Sequence, residues 1–409
     1  MPPPEVTSGL LPLLRNRTFL LLESRGTAAG VGYTVYLATV LWLSYRLTGG
    51  IFLAGILLGV ETAVYTLTFL AGPLIDRVND KRWVYVACYP IQALAAFALG
   101  ITYVLGSLSI PLLIAIVVLL AALWDLTWAA DSAATRLLFD KDRLFAVSGL
   151  GAAIGGAVNI VLYLTAGLTI ALFGAAGGSY LYAGLLVVGA ALAFLLPIPT
   201  PGAKKHAYLA GFREGWTLFR GKSGKALRHL AIFQSALGFF IPAPLLLLTL
   251  YVGRFFAGSQ GTFAGLYVAY LVGGILIGVV LGRLNPRAFI GSVALVALLL
   301  TGAILVTAYL VVGYLPLSVT AWFLLGVAAT ARTTALWNYM QGGFAPEVLA
   351  RVNSNSYLFT GISSTAGALV VGALSVTWSP AALTVLTALG FAGSAALGFL
   401  LSGTRTLTF

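Results

Sequence analysis

Charged side chains are scarce in this chain: Asp, Glu, Lys and Arg make up 8% of its 409 residues, where a soluble domain carries about 25%. So few charges cannot give a protein of this size a water-compatible surface, which excludes a soluble globule. Cysteine is nearly absent. The one cysteine, Cys88, rules out a disulfide within the chain and any cysteine-rich metal site. With only two histidines, His206 and His229, no zinc or iron centre is expected. Gly149, Gly151, Gly155 and Gly156 follow no strand pattern and precede no Lys-Ser/Thr pair. They read as helix-packing positions and not as a phosphate loop. No nucleophile–base pair and no cluster of metal ligands is visible. These absences argue against an enzyme, an ATP-driven pump and a bound cofactor.

Apolar residues, in contrast, make up 60% of the chain. They fall in runs that repeatedly exceed the roughly 20 residues a helix needs to cross a bilayer. Candidate spans lie near 18–45, 50–75, 83–105, 108–138, 144–173 and 178–197, then 227–256, 261–282, 287–313, 315–342, 348–376 and 379–402. No alternating barrel pattern is present, so helices must satisfy the backbone inside lipid. Breaks are expected at Thr48-Gly49-Gly50, Gly106-Ser107, Gly177-Gly178, Gly313-Tyr314 with Pro316, and Ser379-Pro380. The start, with Pro2, Pro3 and Pro4 and then Arg15 and Arg17, reads as a polar lead into a retained first span and not as a cleavable signal.

The net charge of +12 would point to nucleic acid on a soluble protein, but the basic residues sit in alternate loops and no nucleic-acid partner is expected. One side takes Arg15 and Arg17; Arg77, Lys81 and Arg82; Arg136, Lys141 and Arg143; the basic middle segment; Arg283 and Arg287; Arg351; and Arg405. The other holds only Arg46 and Arg254. The positive-inside rule then puts both termini and the middle loop in the cytoplasm of a multi-pass protein of the plasma membrane, with an even number of spans. In the middle segment Phe212, Trp216 and Phe219 recur at helical spacing between basic residues. Two readings stand there: an amphipathic helix on the inner membrane surface, or a solvated linker with incidental aromatics.

The chain also repeats itself. Phe139, Asp142, Leu144 and Val147 shift by 205 onto Phe344, Glu347, Leu349 and Val352. Gly72, Arg77 and Asn79 shift by 206 onto Gly278, Arg283 and Asn285, and Arg46 and Arg254 occupy equivalent outer loops. Several matches at nearly one offset indicate duplication. The expected organisation is an all-α polytopic membrane protein of about twelve transmembrane helices in two six-helix pseudo-repeats. The halves are 1–197 and 227–409, joined by a linker at 198–226. Parallel repeats of this kind build secondary transporters, with the substrate site near the midplane between them.

The stretch Gly72-Pro73-Leu74-Ile75-Asp76-Arg77-Val78-Asn79-Asp80-Lys81-Arg82 resembles the loop between helices 2 and 3 of the major facilitator superfamily. Leu14-Arg15-Asn16-Arg17-Thr18-Phe19, Tyr45-Arg46-Leu47-Thr48-Gly49, Phe212-Arg213-Glu214-Gly215-Trp216 and Arg351-Val352-Asn353 are similar to its enterobactin-exporter-like branch. Two positions depart from the pattern. Val31 follows Gly30 where relatives often carry an acid, and Leu162-Tyr163 stands where many exporters carry Gly-Pro in helix 5. The first removes a familiar proton-coupling position, and the second weakens the inference of drug–proton antiport.

The resemblance implies a conformational latch made by Gly72, Asp76, Arg77 and Arg82 against the start of helix 11 near Arg351; the alternative is a plain topogenic charge cluster. It also implies that helices 1, 4, 7 and 10 line the cavity. Ionisable residues inside the membrane are functional candidates, because each costs about 2.5–3.5 kcal/mol at a helix centre when unpaired. Asp125, Glu61 and Arg332 lie deepest, with Glu23, Arg25 and Asp131 shallower. Asp125 and Asp131 are six residues apart, about 120° around a helix, so both cannot face one cavity squarely. Asp125 is the first choice for a protonatable or cation-binding residue. Arg332 either pairs with it across the halves or holds an anionic substrate group. Glu61 shares a face with Tyr65, and for each acid coupling or binding competes with a static ion pair. Trp124, Trp128, Trp337 and Tyr339, with the amides Asn338 and Gln234, would wall a cavity suited to an amphipathic organic molecule, or serve as belt and core.

The expectation is therefore a monomeric secondary transporter in the lipid bilayer, working by alternating access without a cofactor. It would export a small amphipathic organic compound, siderophore-like or drug-like, in exchange for H+ or Na+. The alternatives are a lipid or lysolipid translocator of the same fold and a non-transporting membrane sensor.

Overall fold

The computed structural model describes residues 14–66, 75, 78–139, 169, 172–199, 224–284, 290–343 and 346–401, with side chains at all of these except 132, 136, 224, 226, 282–284, 290–291, 337–343 and 346–357. Those residues are all-helical, with no strand among them. The helices are α1 (Arg17–Thr48), α2 (Phe52–Thr66), α3 (Arg82–Val104), α4 (Ile110–Leu138), α5 (Leu172–Phe194), α6 (Gly224–Phe240), α7 (Ala243–Phe255), α8 (Gln260–Leu284), α9 (Ile290–Leu310), α10 (Leu315–Gly343), α11 (Pro346–Leu374) and α12 (Pro380–Leu400). Nine described helical stretches are long and apolar enough to cross a membrane, and Phe52–Thr66 and Leu358–Leu374 are shorter apolar helices. Together they fit a bundle of about twelve spans. Most of the expected fifth span, 144–173, lies outside the described residues, as do the latch residues Gly72, Asp76 and Arg77 and the aromatics Phe212, Trp216 and Phe219 of the middle segment.

Local chemistry sets the ends. The Asn16 side chain accepts from the Phe19 backbone N–H at 3.1 Å to open α1, and Gly49 closes it in a left-handed conformation with φ 69°. Ser109 and Ser379 cap α4 and α12 in the same way, each ahead of a proline in the first turn. Gly106, with φ 66°, turns the chain between α3 and α4. Two boundaries differ from expectation. The Gly177-Gly178 break falls inside α5, and the left-handed backbone is at Gly174, φ 72°. The seventh span, Leu227–Phe255, is broken at Ile241-Pro242 into α6 and α7. Pro242 has no N–H to give, and its ring crowds the carbonyl of Gly238; the Ile241 N–H reaches that carbonyl in a tight turn instead, at 3.2 Å.

The outer faces of the bundle are greasy. Leu94, Leu105, Leu310 and Leu400 are each more than two-thirds exposed, as lipid contact requires and water would penalise. The interior holds Trp42, Trp322, Tyr85, Tyr182 and Phe233 at 1% exposure or less. Among the C-terminal helices, α10 packs on α8 and α9, and α12 packs on α9. The N- and C-terminal sets meet along α2 and α11. That seam is built from small residues: a methyl group added to Gly55 would meet the Ala368 carbonyl oxygen at 2.6 Å and the Gly372 Cα at 2.8 Å. Thr62 and Thr365 share a hydrogen bond across it at 3.0 Å. Beside the seam, the Ser364 hydroxyl donates to the Gly238 carbonyl of α6 at 2.8 Å.

At the end where α1 gives way to α2, the two sets close on each other. Trp42 of α1 lies 5.5 Å from Phe263 of α8, ring centre to ring centre, and stacks on Tyr45. The Tyr45 ring in turn occupies the space over Gly253 of α7 that any side chain there would need. Arg46 and Arg254 sit in the last turns of α1 and α7, where a cation complements the helix dipole.

Candidate functional site

Three helices each present one stripe to a common cavity of about 350 Å³: Tyr33 and Leu37 from α1; Leu58, Glu61, Thr62 and Tyr65 from α2; Ala121, Trp124, Asp125 and Trp128 from α4. The intervals of three and four residues put each set on a single helix face. The volume lies at the small end of the range for organic ligands, about 300–1,000 Å³.

Glu61 is held through both of its carboxyl oxygens. It is 6% exposed, and both carboxyl oxygens accept phenolic hydroxyls: Tyr33 donates to Oε2 at 2.9 Å and Tyr36 to Oε1 at 2.8 Å. Burying an acid requires such donors. The donors are themselves held. Tyr33 stacks on Trp124 at 4.4 Å, with planes 16° apart, and Tyr36 on Tyr182 at 5.2 Å. The Tyr182 hydroxyl donates to Oε1 of Gln92 at 3.2 Å. Asp125, 5% exposed, faces the same cavity from α4.

Asp131 goes elsewhere. Its Oδ1 pairs with Nη2 of Arg25 at 2.5 Å. Arg25, 1% exposed, also donates from Nη1 to the Tyr89 hydroxyl at 2.6 Å, and its guanidinium lies over the Tyr85 ring at 4.2 Å. This cluster ties α1, α3 and α4 together and none of its members lines the cavity. The six-residue separation of the two aspartates thus sends one to the cavity and one to an ion pair. Glu23, half-buried, stands two residues before Arg25.

The other candidates scatter. Arg332 is 7% exposed, with its guanidinium 5.6 Å from the centre of the Phe391 ring. Arg25–Asp131 and Asp80–Arg82 form ion pairs among the described residues; the pair with Asp125, one of the two readings of Arg332, is not among them. Gln234 accepts from the Thr360 hydroxyl at 3.3 Å, between α6 and α11. The side chains of Trp337, Asn338, Tyr339 and Arg351 lie outside the described residues. Arg82 binds its near neighbour Asp80 through Nε and Nη2, at 3.0 and 2.6 Å, and the Arg82 backbone N–H also donates to Asp80 at 3.0 Å. These bonds hold the Asp80 carboxyl below its ordinary range. Lys81 donates to the carbonyls of Ile75 and Val78. No group of three or more His, Cys, Asp or Glu residues suited to a metal occurs among the described residues.

Tyr33, Tyr36, Tyr85, Tyr89 and Tyr182 were invisible as site residues in the sequence. Their signal was there in principle: Tyr33 and Tyr36 are hydroxyl-bearing rings three apart inside an apolar span, and Tyr85 and Tyr89 are four apart in another.

No curated protein matches the chain by sequence. Solved structures match its fold across nearly the whole length. The nucleoside transporter NupG is 16% identical, with a TM-score of 0.72, over 95% of this chain and 99% of that one. A POT family transporter in complex with 5-aminolevulinic acid is 12% identical, with a TM-score of 0.72, over 95% and 96%. The human organic anion transporter MFSD10 is 17% identical, with a TM-score of 0.61, over 97% and 99%. The model of the Major Facilitator Superfamily matches residues 26–368. With that match over most of its length and a bundle of the same fold, the chain belongs to the Major Facilitator Superfamily, a family of membrane transporters.

Proposed function

We propose that the protein is a secondary transporter that works by alternating access and moves a small amphipathic organic compound outward in exchange for a proton taken up at the Glu61–Asp125 cavity. The observation that carries the reading is Glu61: a buried acid, clamped by two phenols, at the wall of a cavity that an organic molecule can enter. A fixed ion pair would have spent that carboxyl on stability, as Asp131 is spent on Arg25. Glu61 is bound by neutral donors instead, and a neutral donor pair leaves the acid able to gain or lose a proton without stranding a partner charge.

The seam between α2 and α11 supports alternating access, because small residues on both sides let two rigid helix sets pivot while backbones stay in contact. Transporters of nucleosides and of organic anions share the fold, which supports a small organic substrate. The outward direction rests on resemblance to the enterobactin-exporter-like branch, carried by short stretches such as Arg351-Val352-Asn353.

The test is flux in proteoliposomes holding a pH-sensitive dye, with an imposed proton gradient and a panel of amphipathic compounds. The expected result is proton movement driven by one or more of the compounds, abolished by Glu61→Gln or Asp125→Asn. Substrate flux without proton movement overturns the antiport. No flux with any compound overturns the transporter reading.

A further inference from the structure

Resting on that reading, we infer the charge of the substrate: the cavity between α1, α2 and α4 is built for an organic cation, a protonated amine or quaternary ammonium carried on an apolar or aromatic body.

Among the described residues, the lining has two carboxyl groups, Glu61 and Asp125, and none of those ten is cationic. The buried cations of the described residues are turned to other work. Arg25 is bound by Asp131 and Tyr89, Lys81 donates to the Ile75 and Val78 carbonyls, and Arg332 lies against Phe391 outside the lining. The hydroxyls of Tyr33 and Thr62 lean the same way. The Tyr33 hydroxyl already donates its hydrogen bond to Glu61, and the Thr62 hydroxyl is bonded to the Leu58 carbonyl of its own helix at 2.9 Å. An anion entering here would find those donors committed. A cation finds acceptors: a carboxylate has about four lone-pair sites, and each Glu61 oxygen has spent one on a phenol.

The aromatic walls add a second attraction of the same sign. Trp124 presents one face to Tyr33, stacked at 4.4 Å, and Trp128, 46% exposed, stands one turn away on α4. The negative face of an indole holds a cation within about 6 Å, most strongly when both are desolvated. Apolar walls with Leu37 and Leu58 suit the body of the same molecule.

The discriminating probes are tetraphenylphosphonium and tetraphenylborate, ions of nearly one shape and opposite charge. Binding of each is measured on the purified full-length protein in detergent by quenching of tryptophan fluorescence, with free tryptophan in the same micelles as the control for partitioning. The expected result is saturable binding of the phosphonium alone, weakened tenfold or more by Glu61→Gln and by Asp125→Asn, both near-isosteric. Saturable binding of the borate with equal or greater affinity overturns the inference, as does phosphonium binding that both variants leave unchanged, or none at all in the wild-type protein. The probe comparison in the unmodified protein stands even if a variant fails to fold. Flux of other compounds without phosphonium binding sinks the charge assignment and spares the transporter. Phosphonium binding in a protein that moves nothing does the reverse.

Discussion

At the scale of single residues, the first set of helices holds two acids in opposite circumstances. Glu61 is bound by neutral phenols and Asp131 by a guanidinium. The difference predicts different mutational behaviour. Removing Arg25 strands Asp131, and breaking a buried pair costs about 3–5 kcal/mol; the lower end applies because the Asp131 side chain is 33% exposed. Arg25→Met is therefore expected to lower Tm in detergent by many degrees. Asp131→Leu added to it is expected to recover much of the loss, since an apolar pair of similar bulk needs no counter-charge. If Arg25→Met and the double variant melt alike, the pair is not what holds α1 to α4.

At the scale of helices, the α2–α11 seam sets the constraint. Gly55→Val is expected to leave the N-terminal helices folded but force α2 off Ala368 and Gly372, at a cost of about 1–3 kcal/mol from overpacking. Flux should be lost while the variant still inserts and elutes as a single species; unchanged flux would show that the seam tolerates separation. Much at this scale was legible beforehand. Apolar runs of about 20 residues, Gly49 and Gly106 at turns, and Ser379 ahead of Pro380 marked spans and ends, because those are local effects. The break at Pro242 was missed, although Pro242 and Pro244 were in plain view, because the apolar run continues across it and hydropathy does not register a missing N–H. The partners were not legible. Depth along a helix showed that Glu61 and Asp125 lie at a similar level, but which side chain meets which depends on how helices turn about their axes. A chain poor in charge leaves little pattern from which to read that rotation: the sequence allowed Arg332 either a pair with Asp125 or a hold on a substrate anion, and did not point to the Phe391 ring it stands over.

For the whole molecule, the contact at the α1–α2 end describes one conformation: Tyr45 fills the space over Gly253, and Trp42 meets Phe263. Gly253→Val puts a side chain where the Tyr45 ring lies, so this closed arrangement becomes the disfavoured one. A cysteine placed at Thr62 in a Cys88→Ser background should then react faster with a membrane-impermeant maleimide added from the Arg46 side of the membrane than it does without the valine. Equal labelling rates would mean that this contact does not govern access. Cys88 is buried, so its removal leaves the reporter alone without altering the surface.

The placement of Glu61 beside Thr62 has a kinematic consequence. Thr62 is hydrogen-bonded across the seam to Thr365, and Glu61 faces the cavity one residue away. When two bodies rotate about a line of contact, points close to that line travel least and points far from it travel most. Under the alternating access proposed above, a rotation about this seam would move the Glu61 carboxyl less than side chains set further from it. In that proposed motion the carboxyl is the hub, and what would change around it is which side of the membrane its neighbours leave uncovered.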